Sequence, residues 1–331
     1  MARHHSTTLA DVARVAGVST STASRVLNGS PKPVSNELRL RITAVADSLG
    51  YVSNRAAQAL RGRRTAVFIL IPDPREAIIA QATGMEVAAR EHDVLASAVA
   101  VGQGASAHIK AIQTLSNLRP RALIVNYHES DYGIVLPHLR RFVADGGNVI
   151  SMGENDGSFA CVRYHDVESG ALMGRHLASL ERKSWAVITA DHPALTSRVQ
   201  GMNESMRAAG MTEPISTVEL QTQSREQGRL AMRQIWDSGL RPQIVYAAND
   251  VLAIGAMDEL RSRRVLIPED VAIAGNDDIP IARDLTPSLT TIHLDFLLAG
   301  RKALEMALSD EKPPDLDLPG ELVVRDSTRV T

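Results

Sequence analysis

Ser19 to Arg25 read Ser-Thr-Ser-Thr-Ala-Ser-Arg, a run of short hydroxyl side chains closed by one guanidinium. Small hydroxyls let a helix approach a polar surface closely, each Oγ donating or accepting a hydrogen bond. An arginine among them can reach a phosphate or the edge of a guanine. This is the chemistry of recognition, and no motif for bond making stands beside it. The chain has no Gly-rich phosphate loop, no Gly-x-Ser-x-Gly elbow and no His-Glu-x-x-His. Its ten histidines are scattered, and the single cysteine, Cys161, excludes an intrachain disulfide and lacks partners for a zinc site. We therefore expect no enzyme activity, no cofactor and no metal.

Charge is distributed in keeping with this. The chain carries a net charge of −2, yet its first 64 residues hold ten Lys and Arg against three acids, a net of +7. The remaining 267 residues hold 26 against 35, a net of −9. A basic head on an acidic body is the pattern of a polyanion-binding module attached to a separate domain. With 331 residues, 44% hydrophobic and 22% charged, the chain has material for more than one core. No apolar run is long enough for a membrane span, and Met1-Ala2-Arg3-His4-His5 lacks the apolar stretch of a signal peptide. The expectation is a cytoplasmic protein with no membrane partner.

Three helices must position the hydroxyl run. Leu9, Val12, Ala13 and Ala16 fall at i, i+3, i+4 and i+7, predicting a short helix ended by Gly17. Ser19 can cap a second helix over Thr20–Leu27, with Ala23, Val26 and Leu27 inward and Thr20, Ser21, Thr22 and Arg25 outward. A third fits Asn36–Leu49, capped by Ser35, with Leu38, Ile42, Val45, Ala46 and Leu49 as its stripe. Two short helices around a Gly turn, with a third across them, form a helix-turn-helix, whose second helix reads the major groove.

The string from Thr8 to Asn28, Thr-Leu-Ala-Asp-Val-Ala-Arg-Val-Ala-Gly-Val-Ser-Thr-Ser-Thr-Ala-Ser-Arg-Val-Leu-Asn, closely resembles the head-piece of the lactose-repressor family of bacterial transcription regulators. Ala23 departs mildly from it. The segment Gly50-Tyr51-Val52-Ser53-Asn54-Arg55-Ala56-Ala57-Gln58-Ala59-Leu60-Arg61 resembles that family's hinge. The resemblance implies DNA contacts from Thr8, Ser19, Thr20, Ser21, Thr22, Ser24, Arg25 and Asn28. In the hinge it implies contacts from Asn54, Arg55, Ala57 and Leu60. A hinge helix this short is marginal alone in water and needs a partner to form. In the family, two such helices pair in the minor groove, where Leu60 would wedge into a base step and Ala57 would sit at the helix–helix contact. Leu60 could instead pack on the next domain.

From Thr65 the pattern changes. Ala66–Ile71 is a continuous apolar run, as in a strand buried on both faces, and similar runs recur at 94–101, 122–125, 148–152, 186–189, 244–247 and 271–274. Amphipathic helices alternate with them, so we expect parallel β-α-β units in two lobes. Ala248-Asn249-Asp250, Pro268 to Asp278 and Pro287 to Ile292 extend the resemblance over most of the chain. The implied fold class is an N-terminal all-α helix-turn-helix head plus an α/β two-lobed body of the type I periplasmic-binding-protein kind. The expected division is a head at 1–53, a hinge at 54–64 and a body at 65–331. The body's N-lobe takes about 65–163 and 294–322 and its C-lobe about 164–293 and 323–331, with the chain crossing between them near 163, near 293 and in a terminal strand at 321–326.

By position, Arg198, Asn249 and Asp277 match the family's polar effector-binding residues, and Asp73, Gln223 and Phe296 complete the expected site. An Arg fork with a carboxylate suits a polyol, base or acid. Each also has a plainer reading: a surface ion pair for Arg198, a helix cap for Asn249 and a turn for Asp277. Aromatic walls common in the family are missing along Asp73–Ile79 and at Gln223, whereas Phe296 is kept. With only 3% aromatic residues, we expect an effector that is smaller or more polar than a typical sugar, or none. The implied partners are a palindromic operator in double-stranded DNA, a small-molecule effector of unknown identity and a second copy of the chain, with Ile254 and Leu285 as dimer-contact candidates or ordinary core. A solute-binding protein of the same body fold would have no use for residues 8–61.

Overall fold

The computed structural model describes residues 7–27, 34–49, 51, 66–72, 75–102, 104–126, 129–153 and 156–329. The chain divides into two compact units, Met1–Arg64 and Thr65–Thr331.

The first unit holds α1 (Leu9–Val15), α2 (Thr20–Leu27) and α3 (Asn36–Ser48). Thr8 and Asp11 start α1 with a capping box: the Asp11 N–H donates to Thr8 Oγ1 at 3.3 Å, and the Thr8 N–H to Asp11 Oδ2 at 3.1 Å. Gly17, at φ +65°, makes the turn. Ser19 then caps α2, accepting from the Thr22 N–H at 3.1 Å, and Ser35 caps α3, accepting from the Leu38 N–H at 3.4 Å. The helices close over a small core of Val12, Ala13, Ala16, Ala23, Val26, Ile42 and Ala46, on the face expected from the periodicity.

The second unit carries two parallel sheets. The larger is built from β1 (Ala66–Ile71), β2 (Leu95–Ala100), β3 (Ala122–Val125), β4 (Asn148–Met152), β5 (Ala160–Tyr164) and the late β11 (Leu316–Leu318). Their order is β11-β5-β4-β3-β1-β2. Helices α4 (Glu76–Glu91), α5 (Ala105–Ser116), α6 (Glu129–Ala144) and α11 (Phe296–Ala307) cover it. Successive residues of β1 feed opposite cores: Val67, Ile69 and Ile71 join the core that includes α4 and α11, whereas Phe68 and Leu70 join the core that includes α5 and α6. Burial on both faces is why β1 reads as an unbroken apolar run.

The smaller sheet has the order β7-β6-β8-β9, from β6 (Trp185–Ala190), β7 (Ser216–Leu220), β8 (Ile244–Ala247) and β9 (Ala272–Ala274). It packs with α7 (Asp166–Ala178), α8 (Pro193–Ala208), α9 (Arg225–Asp237) and α10 (Asp250–Ser262) around Trp185, Tyr246 and Met202. A short antiparallel pair, β10 (Thr291–His293) with β12 (Glu321–Val323), lies in the segments that pass between the lobes. The sequence periodicity does not mark β5 or β7, which are only five residues long each and carry neither a long apolar run nor a sustained alternation. The expected terminal strand at 321–326 stops at Val323, because the Arg325 N–H turns to Thr290 Oγ1 (2.8 Å) and a 3-10 turn follows at Asp326–Thr328.

Helices α7 and α8 cross at glycine. A Cβ on Gly170 would lie 1.9 Å from the Arg198 carbonyl oxygen, and one on Gly201 would lie 1.8 Å from that of Val167. The same reciprocal crossing joins α9 to α10 at Gly228 and Gly255, and α4 to α11 at Gly84 and Gly300. Close approach, not turn geometry, demands glycine here, and it brings Arg198 against the start of α7.

Candidate functional site

In the head, Ser19, Thr20 and Ser21 are exposed, whereas Thr22, Ser24 and Arg25 are partly covered. Ala23 and Val26 of the same helix face the core, so the hydroxyl run lies on the outer side of α2. Ser19 Oγ is within 2.8 Å of both Ser21 Oγ and Thr22 Oγ1, which fixes these hydroxyls at the helix start. An N-terminal turn rich in donors, with Arg25 in the last turn, can meet phosphate and base edges. Thr8 has a role the sequence string did not reveal, since its side chain belongs to the α1 capping box. Those hydrogen bonds hold the Asp11 carboxyl down at about 2. Asn28 and the hinge residues Asn54, Arg55, Ala57 and Leu60 lie outside the described residues.

In the body, the centre is Arg198 on α8. It is only 5% exposed, which removes the surface-ion-pair reading. Its Nε donates to Asp166 Oδ1 at 2.7 Å, and its Nη1 to Asp277 Oδ1 at 2.8 Å and to the Ala248 carbonyl at 3.1 Å. Burial works against its charge, but the two carboxylates hold it protonated. Burial pushes the Asp277 carboxyl upward, against the pull of Arg198. Asp277, at φ +126°, makes an isolated parallel β-bridge to His293, and Asp278 follows at φ +53°.

Asn249 likewise does two things. Its Oδ1 accepts from the Leu252 N–H at 2.9 Å, capping α10, and its Nδ2 donates to Gln223 Oε1 at 2.8 Å. Gln223 Oε1 also accepts from Arg75 Nη1, at the N-cap of α4 on the other sheet's side. The C-terminal end of β1 thus faces the segment after β7. Phe296 packs edge-on against Tyr164, with ring centroids 5.4 Å apart at 71°. The phenol of Tyr164 lies in the field of Asp166 and Asp277, and burial pushes its ionisation far upward. Asp73 lies outside the described residues.

The structure therefore groups Arg198, Asp277, Asn249 and Gln223, and adds Asp166, Arg75 and Tyr164. In the sequence Arg75 stands only within a stretch lacking aromatics, and nothing local singles out Asp166 or Tyr164. Ile254, a dimer-contact candidate, is buried in its own lobe at 3% exposure, because that face of α10 packs on the sheet; Leu285 is partly covered. Burial pushes the Cys161 thiol up to about 11, leaving it a poor nucleophile. Among the described residues there is no metal-holding cluster, and no helix is long and apolar enough to cross a membrane.

Residues 8–54 match the model for bacterial regulatory proteins of the lacI family, and residues 175–328 match a periplasmic binding protein-like domain. The chain is 30% identical over 340 residues to the transcriptional regulator GntR of Pseudomonas aeruginosa, covering 97% of this chain and 95% of that protein. It is 29% identical to the regulator CelR of Thermobifida fusca, over 99% of this chain and 100% of that one. Among solved structures, the lac repressor dimer bound to operator and the anti-inducer ONPF superposes with a TM-score of 0.86 at 25% identity. That match covers 98% of this chain and 100% of the other. A hydroxyl-lined reading helix on a basic head, an α/β body of two parallel sheets and relatives matched over nearly their full length place this chain in the lacI family of bacterial regulatory proteins, as a DNA-binding transcriptional regulator.

Proposed function

We propose that this protein is a cytoplasmic repressor that binds a palindromic operator as a homodimer and changes its affinity when a small polyhydroxylated effector enters the cleft between its lobes. In this reading the head is 1–53 and the hinge 54–64. The hydroxyls of α2 and Arg25 contact the major groove, and the Leu60 segment orders in the minor groove. The body, 65–331, binds effector and partner.

The observation that carries the effector reading is the set of polar atoms at the C-terminal ends of parallel strands. Ligands of open α/β sheets bind there. Asn126 Nδ2 after β3, Thr189 Oγ1 on β6 and the Tyr246 hydroxyl on β8 are buried without a hydrogen-bond partner among the described residues. Buried polar groups are nearly always paired, so a hydroxylated ligand is a fitting partner. Arg198 and Asp277 supply a donor fork and an acceptor, and the Tyr164–Phe296 pair supplies one apolar wall. A relative is described as a ribose operon repressor, and CelR has been solved with cellobiose. Because Gln223 and Arg75 stand where aromatics are common in the family, the effector is more polar than a stacked hexose.

For the dimer, α4 and the edge strand β2 leave Ile79 (50%), Val87 (41%) and Leu95 (42%) exposed, an apolar face suited to a second copy. The test is selection of bound DNA from a random pool, with and without sugars and sugar acids, followed by calorimetry on the hits. Recovery of a palindrome whose retention changes with one polyol supports the reading. Random sequences recovered under every condition would refute the operator, and tight binding of an unmodified hexose would refute the polar effector.

A further inference from the structure

We infer that Asp278 and Arg325 are positioning residues that tie the effector-facing Arg198–Asp277 pair to two of the three chain crossings between the lobes, while Asp166 ties it to the third. The inference deepens the effector reading above and depends on it only for the identity of the signal. One crossing follows β5, where Asp166 receives Arg198 Nε at 2.7 Å. Another is β10: the Asp277 N–H donates to the Ile292 carbonyl at 2.9 Å, and the Asp278 N–H to Thr291 Oγ1 at 3.3 Å. The last follows β12, where Arg325 Nη2 donates to Asp278 Oδ1 at 2.5 Å while its Nη1 holds the Leu289 carbonyl at 2.9 Å. His293 of β10 closes the group, its Nδ1 lying 3.1 Å from Asp278 Oδ2.

The two neighbouring aspartates divide the work. Asp277 turns toward Arg198, and Asp278 turns toward the crossings. Both have positive φ, a conformation that side chains with a Cβ adopt at some cost, so their surroundings hold them there. The carboxylates of Asp277 and Asp278 are each about nine-tenths covered, and Arg325 about five-sixths. A buried ion pair loses its balance when one member is removed, so the charges act as a unit. A ligand that draws Asp277 or Arg198 toward itself pulls on one short peptide whose next side chain is fastened to two crossing strands.

The test uses the full chain with Lys110→Cys and Glu204→Cys, exposed positions on the two lobes, carrying spin labels. Distances between them are measured without ligand, so the result stands apart from the effector reading, which calorimetry tests. Arg325→Gln and Asp278→Asn are each expected to shift or split the interlobe distance by about 2 Å or more. Arg325→Lys should restore the original distribution, and the double variant Arg325→Gln with Asp278→Asn should shift it no further than either alone. Arg301→Gln, which breaks an exposed pair with Glu91 within the larger sheet's lobe, should leave it unchanged. A folded Arg325→Gln protein with the original distance distribution, or a shift not reversed by lysine, would overturn the inference.

Discussion

Arg198 and Asp277, 79 residues apart in sequence, meet at 2.8 Å between an Nη1 and an Oδ1 that are both almost wholly removed from solvent. The pair is not isolated, since Asp166 holds the same guanidinium from its Nε side. Two carboxylates share one cation in a place where burial penalises every charge.

Replacing Arg198 with Gln leaves Asp166 and Asp277 buried without their cation. The expected loss of unfolding free energy is about 3–5 kcal/mol, measured by urea denaturation followed by far-UV circular dichroism. Arg198→Lys keeps the charge but not the fork, and should fall between. A Gln variant as stable as the parent would show that the pair contributes nothing to the fold.

Gly170→Ala places a methyl group 1.9 Å from the Arg198 carbonyl oxygen, so α8 must move away from α7. Overpacking of this kind costs about 1–3 kcal/mol. Because Arg198 rides on the displaced turn, the variant should also lose effector response while its operator affinity persists. Thermal melting and a gel-shift titration with effector check the two parts separately; a melting temperature equal to the parent's would refute the first.

Asp250 is fully buried and accepts from Thr291 Oγ1 at 2.6 Å and from the Ile279 N–H at 2.9 Å. Burial, with Asp277 nearby, pushes its carboxyl up to about 7. The folded-state value lies above that of an unfolded aspartate, so the protonated form favours the fold. Its contribution is complete below about pH 4 and is lost as pH rises through about 7. Asp250→Asn should therefore gain on the parent by up to about 3 kcal/mol between pH 5 and pH 8. Denaturation midpoints of the two proteins that stay parallel across that range would contradict this.

Arg25→Ala should weaken operator binding by about 1–3 kcal/mol if the guanidinium reads a base edge, with relaxed preference at one position of the site. If it touches only phosphate, affinity falls evenly across sequences and the salt slope drops by about one charge. Leu60→Ala is expected to weaken binding without unfolding the protein, as loss of a wedge would. Fluorescence anisotropy at two salt concentrations distinguishes these outcomes, and unchanged affinity in both variants would remove α2 and the hinge from the interface.

Local order was written into the sequence by itself. The head's three helices follow from apolar residues at helical spacing, Ser19 and Ser35 as caps and Gly17 as the turn, all set by near neighbours in sequence. The buried strands declared themselves as apolar runs because both faces are covered, and the basic head was visible as charge. Short strands did not: β7 is a five-residue edge strand, and β11, three residues long, exists only because β5 offers it a pairing edge. The tertiary structure alone decided which charges meet. Nothing near Asp166, Arg75 or Arg325 in sequence marks them as partners of Arg198, Gln223 and Asp278, because side-chain pairing across a fold depends on distances that chain closure sets and local periodicity does not carry.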